Sequence, residues 1–361
     1  MFNPLSALVS TALNATYPLA RSALFSLEPE AAHAATIKGL SKLAACGATP
    51  LMYPCPQANK TARVMGIEFA NRVGLAAGAD KNGECIDGFG LLGFGFIELG
   101  GVTPKAQPGN PQPRMFRLPQ AQGMINRLGF NNFGVETLYN NLADYRMKGK
   151  YRGVVAVNLG KNKDTPNENA LDDYRICYTR LHSMVDFATI NVSSPNTKDL
   201  RALQEVDELR VILLGMKAEQ TRLAQDTGRY VPQSVKIAPD LDDDQIKQIA
   251  TLAVECKMDA ITATNTTVAR DTVAALEHGG EIGGLSGAPL RARSTAVVKQ
   301  LAQHLQGALP IIGVGGVCSG ADAVEKLQAG AALVQFYSGM VYTGPQLVAD
   351  SVKAINQAGL A

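Results

Sequence analysis

Ser194 is the side chain that raises the first chemical question. It lies in INVSSPNT, residues 190–197, where an apolar run ends and Pro195 holds the preceding serine extended on a stiff loop. No histidine falls in a loop that follows a predicted strand, which disfavours a serine–histidine–aspartate triad; the four histidines are His33, His182, His278 and His304. We interpret Ser194 as a proton acceptor assisted by Thr197 or by a chain of water molecules. The alternative is a serine that only shapes a bend.

Lys236 is predicted to point into the interior of the fold. In SVKIAP the alternation sends Val235 and Ile237 to one face and Lys236 with Ala238 to the other. A buried ammonium needs an anionic or strongly polar partner, because burial otherwise removes its proton. Glu98 is the one acidic residue evident on a neighbouring strand, so a lysine–carboxylate pair is the alternative to a ligand that becomes anionic.

Amide side chains gather in segments that are expected to meet. MINRLGFNN, residues 124–132, contains Asn126, Arg127, Asn131 and Asn132 around a glycine. Further members follow other predicted strands: Asn191, Asn196, Asn265 and Thr266. Because amides both donate and accept hydrogen bonds, their convergence favours a nitrogenous, carbonyl-rich ligand. The alternative is a surface loop rich in turn residues.

Two glycine motifs indicate a site for a phosphate group. GVGG, residues 313–316, precedes a helix start at Ser319, and YSG, residues 337–339, follows the last predicted strand. Glycine lets backbone amides approach oxyanions, and the start of a helix supplies favourable dipole charge. We therefore predict a phosphate-bearing cofactor here; the alternative is that both motifs are plain turns.

Eight strands separated by helical segments are expected to position these residues. The strands are predicted from β-branched or aliphatic runs at 73–78, 94–102, 154–160, 187–192, 234–238, 260–265, 310–315 and 332–337. Polar residues follow seven of the eight runs, which is where barrel enzymes place their sites. The predicted fold is α/β, a (β/α)8 TIM barrel with a small N-terminal helical extension. A doubly wound open sheet is the structural rival, because strand count alone does not show closure.

Composition narrows the class of protein. The 361 residues, 46% of them hydrophobic, suit one large domain with an appendage. Thirty-four basic and 32 acidic side chains give a net charge of +2, too even for nucleic acid to be the main partner. The cysteines form no CxxC pair, so we expect reduced thiols and no zinc or other metal site; they are Cys46, Cys55, Cys85, Cys177, Cys256 and Cys318.

The first fifty residues differ from the rest of the chain. Pro29 suits the first position of a helix, and two apolar stripes at helical spacing surround it: Leu19, Ala23, Leu24 and Leu27 before it, and Ile37, Leu40, Leu43 and Ala44 after it. No run of eighteen apolar residues is present and the first basic residue is Arg21, so neither a spanning helix nor an ordinary signal peptide is predicted. The stripes fit a helical cap over the barrel or a membrane-surface hairpin, and the low charge of the first twenty residues favours the hairpin.

The motifs taken together resemble a known enzyme family. They are GLAAGADKNGE, INRLGFNN, NLGKNKDTP, INVSSPNT, KIAPDL, ATNTT, GGLSG, GVGGV and QFYSG. In this order they resemble the dihydroorotate dehydrogenases, and specifically the quinone-dependent class 2 enzymes. The resemblance to class 2 depends on two features. Ser194 stands where the soluble class 1 enzymes have cysteine, and an N-terminal helical extension is present that includes LEPEAAH at residues 27–33.

The resemblance implies an FMN at the barrel mouth, oxidation of dihydroorotate to orotate in pyrimidine synthesis, and a membrane quinone as the final electron acceptor. Ser194 would take the proton from C5 of dihydroorotate while a hydride leaves C6 for the flavin, and Lys236 would stabilise negative charge on the reduced flavin. The implied flavin contacts are Ala77, Ala79, Lys81, Gly101, Asn158, Asn191, Lys236, Thr264, Gly287, Gly316, Tyr337 and Ser338. The implied substrate contacts are Lys81, Asn126, Arg127, Leu128, Gly129, Phe130, Asn191, Asn196, Asn265 and Thr266.

Residues 1–50 are then expected to be an amphipathic segment for quinone access, and residues 51–361 the FMN-binding catalytic barrel. His33 and Arg117 are the implied polar groups of the quinone passage, and the expected location is peripheral, on the cytoplasmic side of the cell membrane. The sequence departs from the family pattern at Gly101, where relatives often carry a hydroxyl residue, so any flavin contact there would come from the backbone. The rivals are another FMN barrel acting on a pyrimidine or an enone, and a non-catalytic lipid- or quinone-binding membrane protein.

Overall fold

The structure, a computed structural model, describes residues 17–197 and 199–361. Its strands are β1 Ala62–Val64, β2 Ile67–Phe69, β3 Val73–Leu75, β4 Phe96–Val102, β5 Met115–Leu118, β6 Gly123–Asn126, β7 Val154–Leu159, β8 Phe187–Asn191, β9 Gln233–Ile237, β10 Ala260–Ala263, β11 Gly284–Gly287, β12 Ile311–Val314 and β13 Leu333–Phe336. Its helices are α1 at 17–25, α2 Pro29–Ala45, α3 Thr49–Met52, α4 Ile86–Gly90, α5 Val135–Lys148, α6 Ala170–Leu181, α7 Val206–Thr227, α8 Asp243–Glu255, α9 Arg291–Leu305, α10 Gly320–Gln328, α11 Ser338–Thr343 and α12 Gln346–Gln357.

Eight parallel strands close into a barrel, in the order β10-β12-β13-β3-β4-β7-β8-β9. Seven of the eight predicted runs contain one of these strands, and the run at 234–238 overlaps β9, which begins one residue earlier. Closure rules out the open, doubly wound sheet. The predicted barrel is therefore confirmed.

Strict alternation along the strands builds two cores. On β7, Val155 and Val157 pack outward under the helices, whereas Ala156 belongs to a separate cluster inside the barrel. Helix starts follow local capping chemistry: the Ser319 side chain accepts from the Asp322 amide at the start of α10, as the sequence predicted. The result is a rigid frame whose strand ends all point to one mouth.

A hairpin of β1 and β2 closes the amino-terminal end of the barrel. Phe69 on β2 packs edge-on against Phe96 with ring centroids 5.3 Å apart, and Phe187 lies 6.4 Å from Phe69. All three rings are fully buried. Because Phe96 and Phe187 are the first residues of their barrel strands, this end is a packed hydrophobic plug and the opposite end is left for chemistry.

A second, antiparallel sheet stands over the carboxyl ends of the barrel strands. Its order is β11-β6-β5, with Leu285 of β11 paired to Ile125 of β6 and Phe116 of β5 paired to the same residue. The sheet brings together segments separated by about 160 positions along the chain. It walls one side of the mouth.

The helical segment before the barrel packs against this small sheet. Helix α2 begins at Pro29, as predicted, and Glu28 caps it by accepting from the amides of Glu30 and Ala31. Among the helices of residues 17–197 and 199–361, none has the length and apolar character needed to cross a lipid bilayer. Of the segment 1–50 that the sequence singled out, residues 1–16 lie outside the described residues.

Candidate active site

A cavity of about 1090 Å³ opens at the carboxyl ends of the barrel strands. Most of the predicted site residues line it: Ala77, Lys81, Gly101, Asn126, Leu128, Gly129, Phe130, Asn158, Asn191, Ser194, Asn196, Lys236, Thr264, Asn265, Thr266, Gly287, Gly316, Tyr337 and Ser338. The structure therefore brings the segments together as the sequence predicted.

Three predicted site residues do not line the cavity. Ala79 is fully buried behind it. Arg127 pairs with Glu281 at 2.6 Å and stacks over the Phe116 ring, so its guanidinium is held on the outer side of the small sheet. Thr197 is 6% exposed and its hydroxyl has no hydrogen-bond partner among the described residues. It is close to Ser194 in the chain, but no hydrogen bond joins the two.

Ser194 faces the cavity with few polar neighbours. It is 8% exposed, and its Oγ accepts from the Asn196 backbone amide at 3.3 Å. No ionisable side chain of the described residues forms a hydrogen bond with it. Any proton that Ser194 takes up must therefore leave along the loop or through water.

Arg201 clamps three loops behind Ser194. Its Nε donates to the Ser193 carbonyl at 3.2 Å, its Nη2 to the Thr266 carbonyl at 2.8 Å, and its Nη1 to Asp240 at 2.9 Å. No sequence motif predicted a role for this residue, because its role depends on contacts between loops after three different strands. The clamp fixes the backbone on which Ser194 is presented.

The lining carries two charged side chains, and both are lysines. Lys236 is 6% exposed and its ammonium forms no hydrogen bond within the described part of the chain. Burial lowers its pKa, while the charge of Glu98 opposes that effect. Lys81 donates to the Asn131 side chain, and burial lowers its pKa to about 8. With no acidic residue in its lining, the cavity suits an anionic ligand.

Asparagines on neighbouring strand ends are connected to each other. Asn191 Nδ2 donates to Asn158 Oδ1 at 2.8 Å, and Asn265 Nδ2 donates to Asn191 Oδ1 at 3.2 Å. Across the mouth, Asn196 Nδ2 donates to Asn126 Oδ1 at 3.0 Å. These bonds hold the amide planes, so they are ready for a planar ligand with several carbonyl and N–H groups.

One corner of the cavity is built from glycine and serine. A Cβ at Gly316, where φ is +78°, would lie 2.2 Å from the Arg291 Cα, so only glycine fits this turn. Ser338 donates to Ser286 at 2.8 Å, and both face the cavity. Backbone and hydroxyl groups without a nearby carboxylate are what a bound phosphate requires.

Gly101 is explained by its neighbour. A Cβ there would lie 2.6 Å from the Phe130 ring, which occupies the space that a hydroxyl side chain would need. The sequence missed several other lining residues: Ala76, Met115, Met124, Ser286, Leu290, Val314, Gly315, Val317, Phe336 and Gly339. Gly315 and Gly339 lie within the two glycine motifs and were within reach of the pattern, whereas Met115 and Met124 arrive through the unforeseen small sheet.

A second, apolar cavity lies between the N-terminal helices and the barrel, with a volume of about 1530 Å³. His33 and Arg117, the two predicted polar groups, both line it. His33 Nδ1 and the Tyr337 hydroxyl form a hydrogen bond of 3.1 Å, and burial lowers the histidine pKa to about 4. Tyr337 lines both cavities, and so do Met115 and Met124. The two spaces thus share a wall.

Comparison with known proteins supplies a family. Residues 60–358 match the model of the family described as "Dihydroorotate dehydrogenase". A protein of Methylobacillus flagellatus named "Dihydroorotate dehydrogenase (quinone)" is 56% identical over 94% of this chain and 99% of its own length. A protein of Thiobacillus denitrificans with the same name is 54% identical over 94% of this chain and 99% of its own length. The crystal structure of a "DHODH" from Eimeria tenella in complex with ferulenol, 38% identical, superposes with a TM-score of 0.84 over 93% of this chain and 96% of that one.

Proposed function

The chain belongs to the dihydroorotate dehydrogenase family, and from that premise we propose which of its parts do what. The enzyme oxidises dihydroorotate to orotate, a step of pyrimidine synthesis, and uses a quinone as electron acceptor. The observation that carries our assignment of parts is the shared wall: a polar cavity with two lysines and Ser194 meets an apolar cavity through Tyr337.

The family's flavin is FMN in this chain, bound in the polar cavity. The Gly316 turn with Ser286 and Ser338 would hold its phosphate, and Lys236 would supply positive charge to its ring system; all four residues line the cavity. Lys236 supports this placement, because a buried ammonium that forms no hydrogen bond within the described residues calls for an anionic or electron-rich ligand. When bound, the flavin accepts a hydride from the substrate and passes electrons to the quinone.

Ser194 is the base that removes a proton from C5 of dihydroorotate. Proximity increases the rate of proton removal, because a group held against the reacting atom needs less basicity than a group in solution. The Arg201 clamp keeps the Ser193 carbonyl, and therefore Ser194, at a fixed height above the cavity. We assign the exit of the proton to Thr197, or to water beside its hydroxyl, which has no hydrogen-bond partner among the described residues.

The asparagines recognise the substrate ring, and Lys81 binds its carboxylate. Asn126, Asn191, Asn196 and Asn265 line the cavity from three sides and offer both donors and acceptors to the ring carbonyls and N–H groups. Lys81 is charged below its pKa of about 8, so it attracts an anion at neutral pH. Arg127 is a predicted substrate contact whose guanidinium bonds elsewhere; any contact from it comes through its backbone.

Residues 1–50 form the quinone entrance, and residues 51–361 form the catalytic barrel. The apolar cavity between α1, α2 and the barrel suits an apolar quinone, and it reaches Tyr337, which also lines the polar cavity. Leu19 is 73% exposed and Leu27 45%, which supports contact of this segment with a membrane surface. We place that surface on the cytoplasmic side of the cell membrane.

The two half-reactions test this function. Purified protein should show flavin absorbance, lose it on anaerobic addition of dihydroorotate, and regain it when quinone follows. A colourless protein would favour a non-catalytic binding protein, and flavin that dihydroorotate fails to bleach would favour another flavin-dependent barrel.

A further inference from the structure

Beneath the candidate active site the barrel holds a carboxylate that is out of contact with solvent. Glu98 on β4 is 0% exposed. Its Oε1 accepts from Asn158 Nδ2 at 2.7 Å and its Oε2 accepts from Gln335 Nε2 at 2.7 Å. Both donors are neutral amides, and within the described residues Glu98 forms no ion pair. Burying a carboxylate on neutral partners is costly, so its presence calls for a reason.

Glu98 determines the direction of a chain of hydrogen bonds. An ionised carboxylate only accepts, so Asn158 must turn its NH2 group down toward Glu98 and its oxygen up. That oxygen accepts from Asn191 Nδ2 at 2.8 Å. Asn191 Oδ1 then accepts from Asn265 Nδ2 at 3.2 Å and from the Ser193 hydroxyl at 3.2 Å. No amide in this chain can reverse without losing the bond to its neighbour.

We propose that Glu98 is a positioning residue that fixes the orientation of the Asn158 and Asn191 amides at the floor of the active-site cavity. Asn158 donates one N–H to Glu98, and Asn191 donates one N–H to Asn158. The second N–H of each amide then remains for a ligand in the cavity. The ligand atoms they suit are acceptors, such as carbonyl oxygens and unprotonated ring nitrogens. Glu98 acts through Asn158 and does not touch the ligand. This inference rests on the proposed function of the cavity.

The same carboxylate also serves Lys236. Its negative charge favours the protonated form of that lysine against the effect of burial. One buried group therefore keeps two amides and one ammonium in the state that presents donors to the cavity. Charge does this better than a neutral group, because hydrogen bonds to an ionised partner are roughly twice as strong.

The variant Glu98→Gln removes the charge and keeps the shape. A glutamine at this position offers a donor and an acceptor, so the amide chain is satisfied in either direction. We expect flavin-loaded Glu98→Gln protein to bind orotate roughly tenfold more weakly or worse, as seen in the orotate-induced change of flavin absorbance. Its flavin should also be reduced more slowly by dihydroorotate in anaerobic stopped-flow measurements.

Gln335→Met is the matched control. It removes the other donor to the same carboxylate from within the same barrel, and the Asn158 bond is left in place. If Glu98 only stabilises the barrel, both variants should lose thermal stability and bind orotate alike. We expect orotate affinity to fall in Glu98→Gln and to stay near the wild-type value in Gln335→Met. Equal affinities in the two variants, whether weakened or intact, would overturn the proposal.

The proposal can also be tested on the wild-type enzyme, so the test does not depend on whether the variants fold. A neutron structure of the flavin-loaded wild-type enzyme should place both deuterons of the Asn158 amide on the nitrogen that faces Glu98. An Asn158 oxygen that faces Glu98 would contradict the proposed positioning role of Glu98. Failure of the proposed function is distinguishable, because it would appear as wild-type enzyme that neither binds orotate nor is reduced by dihydroorotate.

Discussion

At the scale of single residues, the site we propose combines a weakly basic side chain with a fixed loop geometry. Ser194 has no ionisable hydrogen-bond partner among the described residues, and its loop is held by Arg201. Two lysines supply the charge of the lining, and burial lowers the pKa of each. Such an arrangement favours reaction by fixing geometry and stabilising developing charge, not by a strongly basic side chain.

The first prediction concerns the base. Ser194→Ala should still bind orotate but reduce its flavin far more slowly, by a factor on the order of 10²–10⁴, because general-base catalysis is lost. Ser194→Cys should retain some activity with a pH dependence shifted lower, since a thiol ionises more readily than a hydroxyl. Stopped-flow reduction by dihydroorotate measures both. Reduction of Ser194→Ala at the wild-type rate would assign the base to another group.

The second prediction concerns Lys236. Lys236→Met keeps a long side chain but removes the cation that faces the cavity. We expect a folded protein with weaker flavin retention and slower reduction, measured by flavin content after gel filtration and by stopped flow. Unchanged flavin content together with an unchanged reduction rate would show that the ammonium serves only the barrel.

At the scale of elements, the helices and strands that depend on local sequence pattern were predicted from the sequence. The eight barrel strands are buried aliphatic runs followed by polar turns, and α10 begins with the predicted Ser319 cap. The small sheet was not predicted, because β6 contains Gly123 and Asn126, which are poor strand formers, and it pairs with β11 far along the chain. The pairing of Arg127 with Glu281 was not predicted for the same reason, because the sheet brings these two distant segments together.

The third prediction concerns the contact between α2 and the barrel. His33 has a folded pKa of about 4 against an ordinary value of 6.5, so it favours the folded state only while neutral. This stabilisation is complete above pH 6.5 and is lost as the pH falls toward 4, at up to about 1.4 kcal/mol per pH unit. His33→Gln keeps a partner for Tyr337 but does not titrate.

Thermal unfolding at pH 7.5 and pH 5 compares the two proteins. Wild-type protein should lose more of its stability on acidification than His33→Gln. Parallel losses would show that His33 is not held in its neutral form by the fold.

At the scale of the whole molecule, two cavities with different chemistry share one wall. The polar cavity opens at the barrel mouth and the apolar cavity opens between the helices and the barrel. Met115, Met124 and Tyr337 belong to both. On our proposal, dihydroorotate uses the polar cavity and quinone the apolar one, so each half-reaction should be open to disturbance without the other.

The fourth prediction follows from that separation. Deleting residues 1–50 should leave a barrel that binds FMN and is reduced by dihydroorotate, provided that the exposed apolar surface does not cause aggregation. Reoxidation by a long-tailed quinone should fall sharply, a small water-soluble acceptor should still work, and vesicle binding should weaken. If the truncated enzyme reduces long-tailed quinone at the full-length rate, the helices are only a cap.

The hairpin plug at the closed end of the barrel has a consequence for how this protein can change over evolutionary time. The aromatic cluster of Phe69, Phe96 and Phe187 lies at the end remote from both cavities. Substitutions there change the free energy of unfolding and leave the reacting groups in place. Substitutions in the loops at the mouth alter the chemistry and have little effect on packing in the core. The two ends can therefore change independently. A substitution that improves packing at the plug would raise the stability of the fold, so that destabilising substitutions in the loops at the mouth would be tolerated without loss of folded protein.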